Sequence, residues 1–125
     1  FALRFEWDKS SIVLSGDTAF MPEMISFADR ADLLIHEVML SEGIDLIMRR
    51  LGHEDSKLKN HLLQSHTLAE NAGLIATRAK VKCLALSHFV PDGFLEFNDE
   101  DWIRAVRKHW SGKVILGKDG VRIPL

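Results

Sequence analysis

The stretch SIVLSGD, residues 11–17, sets the pattern from which the fold of this chain can be inferred. A short, mostly apolar run is followed directly by a glycine and an aspartate. Two later stretches have the same form, DLLIHE at residues 32–37 and KCLALSH at residues 82–88. Near-continuous apolar runs of this length, bounded by polar residues, are typical of strands buried in a parallel sheet.

The two ends of the chain predict hairpins. Residues 1–7 alternate apolar and polar side chains, and residues 8–10 can form the turn that leads into a strand over residues 11–15. At the other end, residues 113–116 and 120–123 predict two short strands that close the chain.

Helical patterns lie between the strands. Four residues stand where a helix is expected to begin or to be capped: Pro22, Ser41, Thr67 and Asn98. Thr67 and Glu70 match the capping box S/T-x-x-E. Residues 53–65 are polar and mixed, and we expect a loop there with one helical turn or more. Strands alternating with helices, without repeat or linker, predict one α/β unit over residues 1–125.

The composition bounds the class of protein. The chain has 125 residues, 46% of them hydrophobic and 27% charged, which is enough for the core of one domain. Its net charge of −2 argues against a surface built chiefly for polyanions. No apolar run approaches the roughly 20 residues of a membrane span, so we expect no membrane partner. A single cysteine, Cys83, in an apolar run indicates a reducing compartment, and we expect a cytoplasmic protein.

The three apolar strands end in residues that bind metals or move protons. Because ligands bind beyond the carboxyl ends of the strands in α/β sheets, we expect these residues on one rim. Asp17 and His88 are candidate metal ligands from two separate strands. Taken singly, Asp17 could instead be a turn or cap residue, and His88 a hydrogen-bonded rim histidine.

Glu37 and His66 are a candidate catalytic pair. A carboxylate bonded to one imidazole nitrogen would fix the tautomer and leave the other nitrogen to donate a proton to a leaving group. His66 could equally be an ordinary loop histidine.

Four runs of sequence, SGDT, LIHEVM, SHTLAENAG and LALSHF, resemble the later motifs of the metallo-β-lactamase superfamily, and more narrowly its ribonuclease Z and arylsulfatase-like branch. The resemblance covers roughly residues 12–89, and the ending GKDGVRIPL is also similar to that branch. It implies the carboxyl-terminal half of a four-layer αββα sandwich. It also implies two divalent metal ions at one edge of the paired sheets, usually zinc, with manganese or iron as alternatives.

The resemblance also assigns roles to residues. Asp17 would bridge both metals, and His88 would be the final histidine on the second metal. Glu37 matches the H-E-A-T loop and His66 the H-S-T loop, where they would form the proton relay to the leaving oxygen. The superfamily's H-x-H-x-D-H signature does not occur in this sequence. We therefore expect an incomplete site and a chain that is inactive alone.

The segment after His88 separates the functions that remain open. It reads HFVP, residues 88–91, where ribonuclease Z has H-F-S-x-R-Y. This departure favours an arylsulfatase-like hydrolase of a small-molecule sulfate or phosphate ester. A tRNA 3′-processing endonuclease is the alternative, and a non-catalytic half-domain acting in assembly is a third. The expected partners are a missing amino-terminal half or another chain, including a second copy of this one in a homo-oligomer. The remaining histidines, His53, His61 and His109, match no ligand of the family and are interpreted as surface residues.

Overall fold

A computed structural model describes residues 1–52 and 56–125. The strands are β1 (Leu3–Trp7), β2 (Ser10–Leu14), β3 (Leu33–Met39), β4 (Cys83–Val90) and β5 (Lys113–Leu116). The helices are α1 (Glu23–Phe27), α2 (Ser41–Leu51), α3 (Ser56–Ser65), α4 (Ala69–Ala79) and α5 (Asp99–Arg107). The prediction for His53 lies outside the described residues.

The strands form one sheet in chain order, β1-β2-β3-β4-β5. β1 and β2 pair antiparallel, from Leu3 opposite Leu14 to Trp7 opposite Ser10, so the predicted amino-terminal hairpin is confirmed. All other pairs are parallel. The carboxyl ends of β2, β3 and β4 therefore lie at the same edge of the sheet, as the predicted α/β class requires.

The main hydrophobic core lies between one face of the sheet and helices α1, α4 and α5. Small side chains spaced along α4, among them Ala72, Ala76 and Ala79, let that helix lie close to the strands. Trp102 contributes the buried face of α5, and its helix begins with the predicted cap at Asn98. Each large side chain buried in such a layer stabilises the fold by about 1.5–3 kcal/mol.

The opposite face of the sheet is only partly covered. Leu33, Cys83 and Ala85 are buried there against a few neighbouring isoleucines. Because side chains alternate along a strand, the β1 residues that pair onto this face are Leu3, Phe5 and Trp7, which are exposed by 51%, 52% and 45%. Within the described residues, one sheet and one helix layer account for half of a four-layer sandwich.

The predicted closing hairpin is wrong. β5 pairs in parallel with β4, and the backbone N–H of Gly117 extends that pairing to the carbonyl of Leu86 at 2.8 Å. Residues 120–123 form no strand, although Val121 N–H donates to the carbonyl of Lys118 in the expected turn. Ile123 instead packs against the second face of the sheet, so burial and not strand pairing decides where this segment lies.

Two other boundaries differ from the sequence prediction. Helix α2 has Leu40 as its N-cap and Ser41 as its first residue, and the Ser41 hydroxyl donates to the adjacent Glu42 carboxylate at 2.8 Å instead of capping the helix. Helix α3 occupies most of the segment expected to be a loop; its leucines Leu58 and Leu62 are half-buried in an otherwise polar sequence. None of the helices in the described part of the chain is long and apolar enough to cross a bilayer.

Candidate metal centre

The four residues singled out in the sequence lie together at one edge of the sheet. Asp17 follows β2, Glu37 is on β3 and His88 is on β4, while His66 enters from the segment between α3 and α4. The Nδ1 atom of His88 lies 3.0 Å from Oδ1 of Asp17, and Nδ1 of His66 lies 3.3 Å from Oε2 of Glu37. The two imidazole rings connect these pairs, with centroids 5.4 Å apart.

Glu37 is the buried member of this group, with 1% of its side chain exposed. Its Oε1 accepts hydrogen bonds from the backbone N–H groups of Thr67 at 2.7 Å and Thr18 at 3.3 Å. Burial raises the pKa of Glu37 to about 7, although these two N–H donors and the charge of His88 act in the opposite direction. A carboxyl group that titrates near neutral pH can exchange a proton with a neighbouring imidazole.

Thr67 is a site residue that the sequence analysis assigned wrongly. It does not cap α4, which begins at Ala69 with Leu68 as N-cap and no side-chain cap. Its hydroxyl donates instead to the carbonyl of Thr18 at 2.6 Å, while its N–H binds Glu37. Thr67 therefore joins the loop after β2 to the loop that carries His66. The match to the S/T-x-x-E pattern predicted a helix cap and gave no indication of these two contacts.

Ser15 is a second supporting residue that the sequence analysis missed. Its buried hydroxyl accepts the backbone N–H of Glu37 at 3.0 Å and donates to the carbonyl of Gly16 at 2.7 Å. Gly16 has φ +61°, and the carbonyl of Phe1 would lie 2.7 Å from an added Cβ, so the turn into Asp17 requires glycine. The only signal in the sequence was a small hydroxyl residue beside a predicted ligand.

His88 owes its position to a β-bulge. Glu37 is opposite Ser87 and Val38 is opposite Phe89, so His88 is the extra residue on β4, with φ +43°. Such a left-handed conformation costs a non-glycine residue roughly 1–2 kcal/mol. It leaves the imidazole half-exposed at the sheet edge and moves Phe89 inward, where its ring packs edge-to-face on Trp102 at 4.8 Å.

The other histidines in the described part of the chain, His36, His61 and His109, are not members of the candidate triad. His36 is fully buried and its Nδ1 donates to the carbonyl of Glu37 at 2.7 Å; among the described atoms its Nε2 has no partner. Burial lowers the pKa of His36, which therefore stays neutral. His61 and His109 are exposed, as expected for surface residues.

Mixed imidazole and carboxylate donors suit zinc, manganese or iron. Glu37, His66 and His88 each offer a ligand atom within 4.8 Å of the other two, which makes them a candidate metal-binding triad. Asp17 adjoins the triad through His88. The chemistry of the donors thus fits a divalent transition metal ion.

Comparison with curated proteins identifies ribonucleases Z among the relatives of the chain, although no family model matches it. Ribonuclease Z of Mycobacterium tuberculosis (strain H37Rv) is 28% identical over 120 residues, which are 96% of this chain and 41% of the relative. Ribonuclease Z of Mycobacterium marinum is also 28% identical over 120 residues, 40% of its length. The chain thus spans less than half of these relatives.

Two solved structures share the fold. The metallo-β-lactamase fold protein YhfI from Bacillus subtilis superposes with a TM-score of 0.72 and 22% identity, over 96% of this chain and 41% of that one. Human tRNase Z, short form (ELAC1), superposes with a TM-score of 0.57 and 20% identity, over 99% of this chain and 37% of that one. The chain therefore has the metallo-β-lactamase fold, and the curated proteins named above that it resembles in sequence are ribonucleases Z.

Proposed function

We propose that the intact protein is a ribonuclease Z-like, metal-dependent phosphodiesterase that cleaves precursor tRNA at its 3′ end. Residues 1–125 would supply the carboxyl-terminal part of its domain. The observation that carries the proposal is the contact of buried Glu37 with His66 at 3.3 Å, beside Asp17 and His88 at the carboxyl edge of a parallel sheet. A proton relay next to candidate metal ligands is what hydrolysis of a phosphodiester requires.

The relatives favour this substrate over the one that the sequence alone favoured. The curated relatives described above are ribonucleases Z, and none of them supports the arylsulfatase-like interpretation. That interpretation relied on Val90 and Pro91, which differ from the ribonuclease Z motif. Val90 is the last residue of β4 and Pro91 follows it, and neither belongs to the group formed by Asp17, Glu37, His66 and His88.

Glu37 and His66 would act on the leaving group. With Oε1 fixed by Thr67 and Thr18, the Oε2 atom of Glu37 holds Nδ1 of His66 and sets the orientation of its ring. The Nε2 atom of His66 is then left to give a proton to the 3′ oxygen of the departing nucleotide. Proton transfer from a positioned group of this kind contributes about 10²–10⁴-fold to a rate.

Asp17 and His88 would hold metal ions, because a carboxylate and an imidazole are suitable ligands for zinc or manganese. Two such ions, when bound, would neutralise phosphate charge and activate water. The further ligands would come from the rest of the protein or from another chain, because the H-x-H-x-D-H signature is absent from this sequence. That same part would cover the exposed face of β1.

The test is cleavage by the intact protein that contains this chain. It should cut a precursor tRNA at the 3′ end in the presence of zinc or manganese, and a chelator should abolish the cut. Asp17→Asn should lower the number of bound metal ions and abolish activity, while His109→Gln on the surface should leave both unchanged. Hydrolysis of an aryl sulfate without cleavage of any phosphodiester would overturn the proposal in favour of the arylsulfatase-like interpretation. Absence of both activities with metal bound would favour a non-catalytic role.

A further inference from the structure

We propose that this chain binds one divalent transition metal ion by itself, through Glu37, His66 and His88. The site would not need the missing ligands of a two-metal centre. The inference rests on the geometry of these three side chains and not on the proposed function. It also revises the expectation that the chain alone offers only Asp17 and His88 as ligands.

Distances support a single shared ion. Ligand atoms about 2.0–2.1 Å from a tetrahedral zinc ion are separated by about 3.3 Å. Oε2 of Glu37 and Nδ1 of His66 are 3.3 Å apart. Glu37, His66 and His88 each offer one ligand atom within 4.8 Å of those of the other two. Small rotations of the half-exposed His88 side chain would close the third distance. Three protein ligands with one open position are the usual set of a catalytic zinc site.

The surroundings prepare Glu37 to be a ligand. Oε1 is already occupied by two backbone N–H groups, from Thr67 and Thr18, which leaves Oε2 for an ion. Hydrogen bonds to the far oxygen of a ligating carboxylate orient it and are a recurrent feature of metal sites. The carboxylate is also almost fully buried, so a cation bound there is screened little by water.

The same ion would interfere with the proton relay. Coordination through Nδ1 of His66 and Oε2 of Glu37 takes up the two atoms whose contact orients the imidazole. An ion in this site and a working relay therefore exclude each other. In the intact protein the site would be inhibitory when metal is in excess.

The test is metal titration of the tag-free 125-residue chain after treatment with a chelator. Calorimetry with zinc should give one ion per chain. Cobalt(II) should give the visible absorption bands that are typical of a cobalt ion with few ligands. Glu37→Gln, His66→Gln and His88→Gln should each weaken binding by at least about tenfold, since each removes a direct ligand. Asp17→Asn should change it by less than that. His61→Gln, on the exposed surface of α3, is the matched control.

Folding of each variant is checked by circular dichroism. If Glu37→Gln fails to fold, His88→Gln still tests the inference, because a substitution of the half-exposed His88 should not disturb the fold. Zinc should raise the melting temperature of the parent chain and not that of His88→Gln. No binding by the parent chain would overturn the inference. Loss of binding in Asp17→Asn with retention in Glu37→Gln would also overturn it. That second result would leave the proposed hydrolase standing, because Asp17 and His88 are its ligands.

Discussion

The Oε2 atom of Glu37 lies 3.3 Å from Nδ1 of His66, although 28 residues and two helices separate them along the chain. The contact exists because Thr67, the neighbour of His66, gives its N–H to the other oxygen of the same carboxylate at 2.7 Å. One buried carboxylate thus holds a whole loop through two adjacent residues. The stability and the chemistry of this edge of the sheet depend on the same group.

The stability of the metal-free chain should fall as pH rises through the titration of Glu37. Burial raises its pKa from 4.5 to about 7, so between these values the folded chain binds a proton that the unfolded chain has lost. The contribution of this group is therefore fully present below about pH 4.5 and is lost as pH rises toward 7. Its size is on the order of 3 kcal/mol.

Urea unfolding of the parent chain and of Glu37→Gln, both with a chelator, measures this contribution. The glutamine can still accept the two backbone N–H groups but has no proton to gain or lose. The free energy of unfolding of the variant, relative to the parent, should rise across this pH range. Parallel pH profiles for the two proteins would contradict the assignment of a raised pKa to Glu37.

Thr67→Val should destabilise the chain while Thr67→Ser should not. Valine keeps the shape of threonine but leaves the partly buried carbonyl of Thr18 without its donor at 2.6 Å, which costs about 1–3 kcal/mol. Serine retains the hydroxyl and loses only a methyl group. The denaturant midpoints of the two variants provide the measurement. Had Thr67 acted as a helix cap instead, the destabilisation by valine would be matched by an increase in fraying of α4 in hydrogen exchange.

Removal of the proposed proton donor should have an effect that depends on the leaving group. In the intact protein, His66→Asn should slow the cleavage of RNA by about 10²–10⁴-fold, because a ribose 3′ oxygen needs a proton to depart. It should slow the hydrolysis of bis(p-nitrophenyl) phosphate far less, since p-nitrophenolate departs without one. The ratio of the two rates is the readout, with His61→Asn as the control. Equal losses on both substrates would assign His66 to metal binding and not to proton transfer.

Sequence patterns were sufficient for the parts of the fold that depend on local periodicity and on the polarity of the strands. The positions of Asp17, Glu37 and His88 at one edge follow from parallel strands, and the structure brings them together with His66 as expected. The buried positions of Cys83 and Trp102 follow from apolar spacing.

The parts that failed depend on contacts between distant residues. The hydroxyl of Thr67 could serve a helix cap or the carbonyl of Thr18, and only the folded loop decides between them. The bulge at His88 likewise accompanies the packing of Phe89 on Trp102, a contact between distant residues that no local pattern encodes. Ile123 lies on the sheet and not in a hairpin for the same reason.

The exposed face of β1 should make the isolated chain self-associate. Leu3, Phe5 and Trp7 present a row of large apolar side chains on an edge strand, and an exposed apolar row of this kind favours association with another chain. Sedimentation of the 125-residue chain should reveal dimers or larger species. The double substitution Phe5→Glu and Trp7→Glu should make the chain monomeric with little change in the urea midpoint, because both side chains are about half-exposed already. Leu95→Glu, at a fully exposed loop position, is the matched control and should not alter the association.

In the intact protein the same double substitution should instead lower the melting temperature, since the second sheet of the sandwich would cover this face. A parent chain that stays strictly monomeric would mean that Leu3, Phe5 and Trp7 need no cover.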